Sequence, residues 1–135
     1  MRPGAASRVP LALIAGIVHA ASFAPAGVWW LQIASMAVLV ALLLRTPAAG
    51  AGGTARAAAL GLAFGLGWFV TGVCWLYVSM HRYGAMPAPI AALAVLLLGA
   101  GLALFPAAVS AVTWRAARAT PGALLGAGAL FAIAE

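Results

Sequence analysis

Few side chains in this 135-residue chain could carry chemistry: two histidines (His19, His81), one cysteine (Cys74), one acid (Glu135) and seven arginines. There is no lysine and no aspartate. General acid–base work needs a placed carboxylate, histidine or lysine, and a metal site needs several His, Cys, Asp or Glu close together. The two histidines are far apart in the chain, and neither has a carboxylate or a second ligand beside it. No catalytic residues, no metal site and no cofactor are therefore expected within these residues. Cys74 precedes Trp75 in an apolar run with no cationic neighbour to activate it, so it reads as a small buried hydrophobe. A lone cysteine also rules out an intrachain disulfide.

The most informative stretch runs from residue 61 to 89. Gly61 and Gly65 form a G-x-x-x-G pair, with Gly67 and Gly72 beyond, a pattern that lets helix backbones approach closely in an apolar medium. Close packing within the chain is the expected use, ahead of a homodimer face. Gly65 and Gly67 do not make a phosphate loop, because the third glycine and the preceding strand are absent. Trp75 and Tyr77 follow, then a polar connection, residues 79–89, with His81, Arg82, Tyr83, Gly84 and two prolines. Arg82 at headgroup height could meet a lipid phosphate, and His81 could supply a hydrogen bond. Trp75, Tyr77, Arg82 and Tyr83 are the candidate site residues, as the wall of a lipid entrance. Trp29, Trp30 and Trp114 read as belt aromatics at the two membrane surfaces. His19, inside an apolar segment, reads as a packed histidine bonded within the protein.

The elements that position these residues follow from composition. The chain is 67% hydrophobic and 6% charged, with a net charge of +6. A soluble domain carries roughly 25% charged residues, so a soluble enzyme, a disordered tail and a disulfide scaffold are all excluded. The arginines are scattered as singles and pairs between long uncharged runs, which argues against nucleic-acid binding. The expected fold is all-α, a polytopic transmembrane helix bundle in one domain. A span takes about 20 apolar residues, which gives spans at residues 9–24, 28–44, 57–78, 89–112 and 121–135. The fifth is incomplete, as in a truncated chain. Pro25 and Gly27 break the first apolar run into two. Pro106 should kink the fourth span. High alanine content blurs the helical period, so no lipid-facing side is assigned.

Cytoplasmic loops retain positive charge. A cytoplasmic N-terminus leaves Arg2, Arg8, Arg45, Arg56, Arg115 and Arg118 inside and Arg82 alone outside. A cleaved signal peptide is the rival reading of the N-terminus. The apolar run continues into Trp29 and Trp30 after only a tight turn, which favours an uncleaved first span.

The motifs Gly72-Val73-Cys74-Trp75-Leu76-Tyr77-Val78-Ser79 and Tyr83-Gly84-Ala85-Met86-Pro87-Ala88-Pro89 resemble the bacterial apolipoprotein N-acyltransferases, whose pattern reads G-x-x-W-x-Y-V-S and then G-G-x-P-x-P. Phe23-Ala24-Pro25 with Trp29 or Trp30 is similar to the family's F-[AS]-P turn, and residues 61–67 to its G-x-x-[FW]-G-x-G segment. Glu135 falls where the family continues E-[WF]-L-R-G. Ala85 departs from the family's second glycine. The resemblance implies the membrane part of a multi-pass inner-membrane enzyme that moves an acyl chain from a phospholipid to the diacylglyceryl-cysteine of a lipoprotein. It also implies that catalysis belongs to a nitrilase-like domain with a Cys-Glu-Lys set, a role Cys74 does not inherit. The partners so implied are the phospholipid donor and the lipoprotein acceptor, with no nucleic acid and no metal. Two other readings remain open: the same membrane part fused to a polyprenol-phosphate mannosyltransferase, or a non-catalytic scaffold or transporter part.

Overall fold

The computed structural model describes residues 5–23, 27–47 and 52–119. Among these residues the chain is all-helical, with five α-helices and no strand. They are α1 (Ala5–Ala21), α2 (Trp29–Leu44), α3 (Gly52–Gly72), α4 (Cys74–Val78) and α5 (Ala88–Ala119). A π-helical turn, Ser79–Tyr83, follows α4. The expected fifth span, Arg2 and Glu135 lie outside the described residues.

Helix α3 is the centre, packed between α1 and α5, with α2 against α1. Glycine makes this possible. Gly61 lies against the Pro106 carbonyl and the Ser110 side chain of α5. A Cβ on Gly65 would stand 2.9 Å from Ala103 Cα. On the α1 side, Gly67 lies against the Leu13 carbonyl, and Gly16 of α1 against the Phe64 carbonyl. Each of these contacts brings backbone to backbone or nearly so, and a methyl group would hold the helices apart. The glycine pair therefore serves packing within the chain. At the other positions Phe64, Leu60 and Ala63 fill the centre with Leu39 and Leu43 of α2.

Three buried hydroxyls of this apolar bundle, Ser22, Ser35 and Thr46, are tied to backbone carbonyls, as burial demands. Ser35 Oγ donates to Gln32 O at 2.8 Å and lies 2.8 Å from His19 Nδ1. Its single proton is committed to the carbonyl, so His19 Nδ1–H donates to Ser35 Oγ. Ser22 Oγ donates to the His19 carbonyl at 2.6 Å. The His19 ring is fully buried among Trp68 (4.5 Å), Phe64 (5.4 Å) and Phe23 (5.8 Å). The expected packing role of His19 is what the geometry displays, and the bond to Ser35 joins α1 to α2.

Four expectations are revised. The run read as one span over residues 57–78 is broken: α3 starts earlier, at Gly52, and ends at Gly72, where Val73 (φ −100°, ψ 6°) leaves helical geometry before α4. A Cβ built on Gly72 would meet nothing within 4 Å, so this glycine is not a helix contact. Trp114 is not a belt residue. It is buried in the core, with its ring end against Gly53 of α3. Cys74 is exposed instead of buried, because the joint at Val73 puts α4 beyond the packed part of α3. Helix α5 runs unbroken from Ala88 to Ala119 through Pro106, longer at its C-terminal end than the expected residues 89–112. Gly27 takes the left-handed φ of 58° that the turn before α2 requires.

Two helices, α3 and α5, are long and apolar enough to cross a membrane. The outer surface carries exposed large apolar side chains on α1, α2 and α5, including Ile14, Ile33, Leu97, Leu104 and Val112.

The packing predicts a graded response to glycine substitution. Gly67→Ala drives a Cβ into the Leu13 carbonyl and should cost about 1–3 kcal/mol. Gly101→Ala meets open space and should leave the thermal midpoint unchanged or slightly raised. Thermal unfolding in detergent would compare them, and equal midpoints would contradict the backbone contact between α1 and α3.

Candidate functional site: the aromatic end of the bundle

The four residues singled out from the sequence fall in one connected segment, α4 and the π-helical turn. Why the helix distorts there is local. After α4, the Gly84 N–H bonds to the Ser79 carbonyl at 3.1 Å, one residue further back than in an α-helix, and the Met86 N–H reaches the Met80 carbonyl at 3.1 Å. Pro87 then opens α5, its carbonyl accepting from Ile90 N (3.0 Å) and Ala91 N (3.1 Å). Pro89, in the first turn, has no N–H to leave unpaired. The connection expected over residues 79–89 is thus helical as far as Tyr83, becomes irregular only over residues 84–87 and is helical again from Ala88.

Trp75 is 62% exposed on α4, and Tyr83 is 86% exposed at the end of the π turn. Arg82 is exposed beside it, and Tyr77 is half-buried. Tyr77 stacks on His81, ring centroids 5.6 Å apart and planes within 24°. His81 Nδ1 lies 2.9 Å from the Met86 carbonyl and donates to it. The hydrogen bond expected of His81 is thus made, to a backbone carbonyl. Its observed place is structural: it links the Tyr77 ring to the segment leading into α5. The signal was the i, i+4 spacing of Tyr77 and His81, which puts two rings on one helical face. The structure therefore gathers Trp75, Tyr77, Arg82 and Tyr83 on one short segment, with Tyr77 held and the other three presented outward.

Ala85 has φ of 50°, in the left-handed region. Its conformation is the one a glycine would take without strain, and the family pattern quoted above has glycine at this position. The chain keeps the turn and places a methyl group in it, at a cost of roughly 1–2 kcal/mol.

No group of three or more His, Cys, Asp or Glu lies together among the described residues. The arrangement offers aromatic surface, one cation and hydrogen-bond donors, which suits holding an amphipathic molecule and does not supply a nucleophile with a base.

The family model for the apolipoprotein N-acyltransferase N-terminal domain matches residues 15–135. The chain belongs to this family. An apolipoprotein N-acyltransferase of Ralstonia nicotianae is 50% identical over 109 residues, covering 81% of this chain and 20% of the relative. That of Verminephrobacter eiseniae is 48% identical over 138 residues, covering 98% of this chain and 26% of the relative. That of Nitrosomonas europaea is 38% identical over 132 residues, covering 95% and 25%. The chain thus spans about a quarter or less of the length of these curated relatives, and it is homologous to their N-terminal parts. The resemblance drawn from the quoted motifs is upheld by these matches, and the family match runs from the middle of α1 through α5.

The strained residue gives the test of the turn. Ala85→Gly should stabilise the protein by up to about 1 kcal/mol, and Ala85→Val should destabilise it by more than that. Thermal midpoints of the two variants would check this, and a valine variant as stable as the parent would contradict the left-handed backbone at residue 85.

Proposed function

We propose that this chain is the N-terminal membrane part of a bacterial apolipoprotein N-acyltransferase, which transfers an acyl chain from a phospholipid to the amino group of a lipoprotein's diacylglyceryl-cysteine. The observation that carries the reading is the family match over residues 15–135. In this reading the chain threads the inner membrane several times with a cytoplasmic N-terminus. The exposed apolar faces of α1, α2 and α5 then meet lipid.

The distribution of charge supports the orientation. Arg8 Nη1 donates to the Arg45 carbonyl at 2.9 Å, and Arg118 Nη2 to the Thr46 carbonyl at 2.7 Å. The start of α1, the end of α2 and the end of α5 therefore share one end of the bundle, and Gly53 at the start of α3 joins them under Trp114. Arg82 lies after α4, at the far end of α3. Arginine retention on the cytoplasmic side then directs α4 and the π turn outward.

Trp75, Tyr77, Arg82 and Tyr83 form part of the lipid entrance at the outer leaflet. Arg82 meets the phosphate, and the rings line the path of the acyl chain. The catalytic residues belong to another part of the enzyme. Both substrates are lipids, so a membrane part that holds them in register beside the catalytic centre supplies the positioning that dominates a two-substrate transfer.

Two experiments test this. In a Cys74→Ala background, cysteine-accessibility labelling in spheroplasts should modify a cysteine placed at residue 84 from outside and spare one at residue 47; labelling in the reverse sense would sink the orientation. In the complete enzyme, Arg82→Ala and Trp75→Ala should each lower acyl transfer about tenfold or more at unchanged protein level, the scale of one lost charge-assisted contact. Normal transfer by both variants would remove these residues from the entrance.

A further inference from the structure

We propose that Arg8, Arg45 and Arg118 form a cradle for the phosphate of an anionic phospholipid at the opposite end of the bundle from the aromatic segment. The proposal rests on the membrane reading above and adds a second lipid contact, in the other leaflet.

Helix α2 ends at Leu44, and the next two carbonyls, of Arg45 and Thr46, each receive a guanidinium from a different helix: Arg8 from α1 and Arg118 from α5. These helices are distant in sequence, so the convergence is a tertiary feature. Thr46 is itself fixed, buried with Oγ1 donating to the Leu42 carbonyl at 3.0 Å. Arg118 is oriented further by the Trp114 ring, whose centroid lies 5.1 Å from its guanidinium carbon. The Arg45 side chain leaves the same turn and is exposed. Each guanidinium carries five N–H donors and spends few of them on the backbone.

Charge balance then demands an anion. Among the described residues there is no Asp or Glu, so no carboxylate there neutralises the three arginines. The C-terminal end of α2 supplies only about half a negative charge. The buried Trp114 Nε1–H also has no acceptor among the described residues. This end of the bundle is rich in donors and short of acceptors. Guanidinium groups match phosphate in a paired, two-bond geometry.

The neighbouring surface selects a lipid over a soluble phosphate. Val9 adjoins Arg8 and is 44% exposed, and Leu44 adjoins Arg45 and is 53% exposed. A phosphate held by the arginines thus has apolar surface beside it for acyl chains. Because three positive charges gather there, a headgroup of net negative charge is preferred over a zwitterionic one.

The test uses the intact protein in dodecyl maltoside micelles, titrated with dioleoyl phosphatidylglycerol or dioleoyl phosphatidylcholine and read by native mass spectrometry and thermal midpoint. The parent should bind phosphatidylglycerol about tenfold more tightly than phosphatidylcholine. Arg45→Gln, which keeps both guanidinium–carbonyl bonds and so should fold, should abolish most of that preference, as should Arg8→Gln or Arg118→Gln where they fold. Arg56→Gln, another exposed arginine of this end, should retain it. No preference in the parent, or an equal loss in Arg56→Gln and Arg45→Gln, would overturn the cradle. So would inorganic phosphate that raises the midpoint as far as the anionic lipid at equal concentration, since the ligand would then not be a lipid. A protein that stays in aqueous extract without detergent would instead defeat the membrane reading, which separates the two failures.

Discussion

The structure depends on one constraint: α3 must touch α1 and α5 backbone to backbone. Gly16 and Gly67 make the contact with α1, and Gly61 and Gly65 make it with α5. In the proposed membrane setting there is no hydrophobic gain from helix association, so close approach and dispersion must supply it. Small residues on two sides of one helix allow α3 to be the centre of the bundle. Large apolar side chains outside this core face outward on α1, α2 and α5, on α5 most of all.

A second regularity is how the bundle deals with polarity. Buried hydroxyls at Ser22, Ser35 and Thr46 each donate to a carbonyl three or four residues back, so they need nothing from neighbouring helices. His19 is the case where a polar group also joins two helices, through Ser35. The charged groups are kept to the ends, where Arg8 and Arg118 bond the carbonyls that a helix C-terminus leaves open. The two ends thereby acquire different chemistry. One is a set of arginines on backbone carbonyls. The other is a short aromatic segment with a single cation, held to the start of α5 by His81.

The candidate site was legible as a set of residues but not as a shape. Trp75, Tyr77, Arg82 and Tyr83 were chosen because aromatic rings and a lone arginine adjoin one polar connection, and they do share one segment. The joint at Val73 and the π turn were not legible. Gly72 in an apolar run reads equally as a packing residue or as a break, and only its lack of neighbours tells which. Ala85 is a similar case: alanine carries no sign of a left-handed turn, and the hydrogen bonds from Gly84 and Met86 back into the π turn impose it.

Helices, their approximate limits and the isolation of Arg82 from the other arginines were determined by the sequence alone, because apolar run length, proline and glycine breaks and charge placement act locally. The tertiary structure alone decided which side chains are inside. Trp114 and Cys74 exchanged the places expected of them, one buried against Gly53 and the other exposed beyond the end of α3. The reason is that alanine-rich helices have no strongly marked face. Where a helix turns its side chains is then set by the glycines of its neighbour, and those contacts lie far apart along the chain.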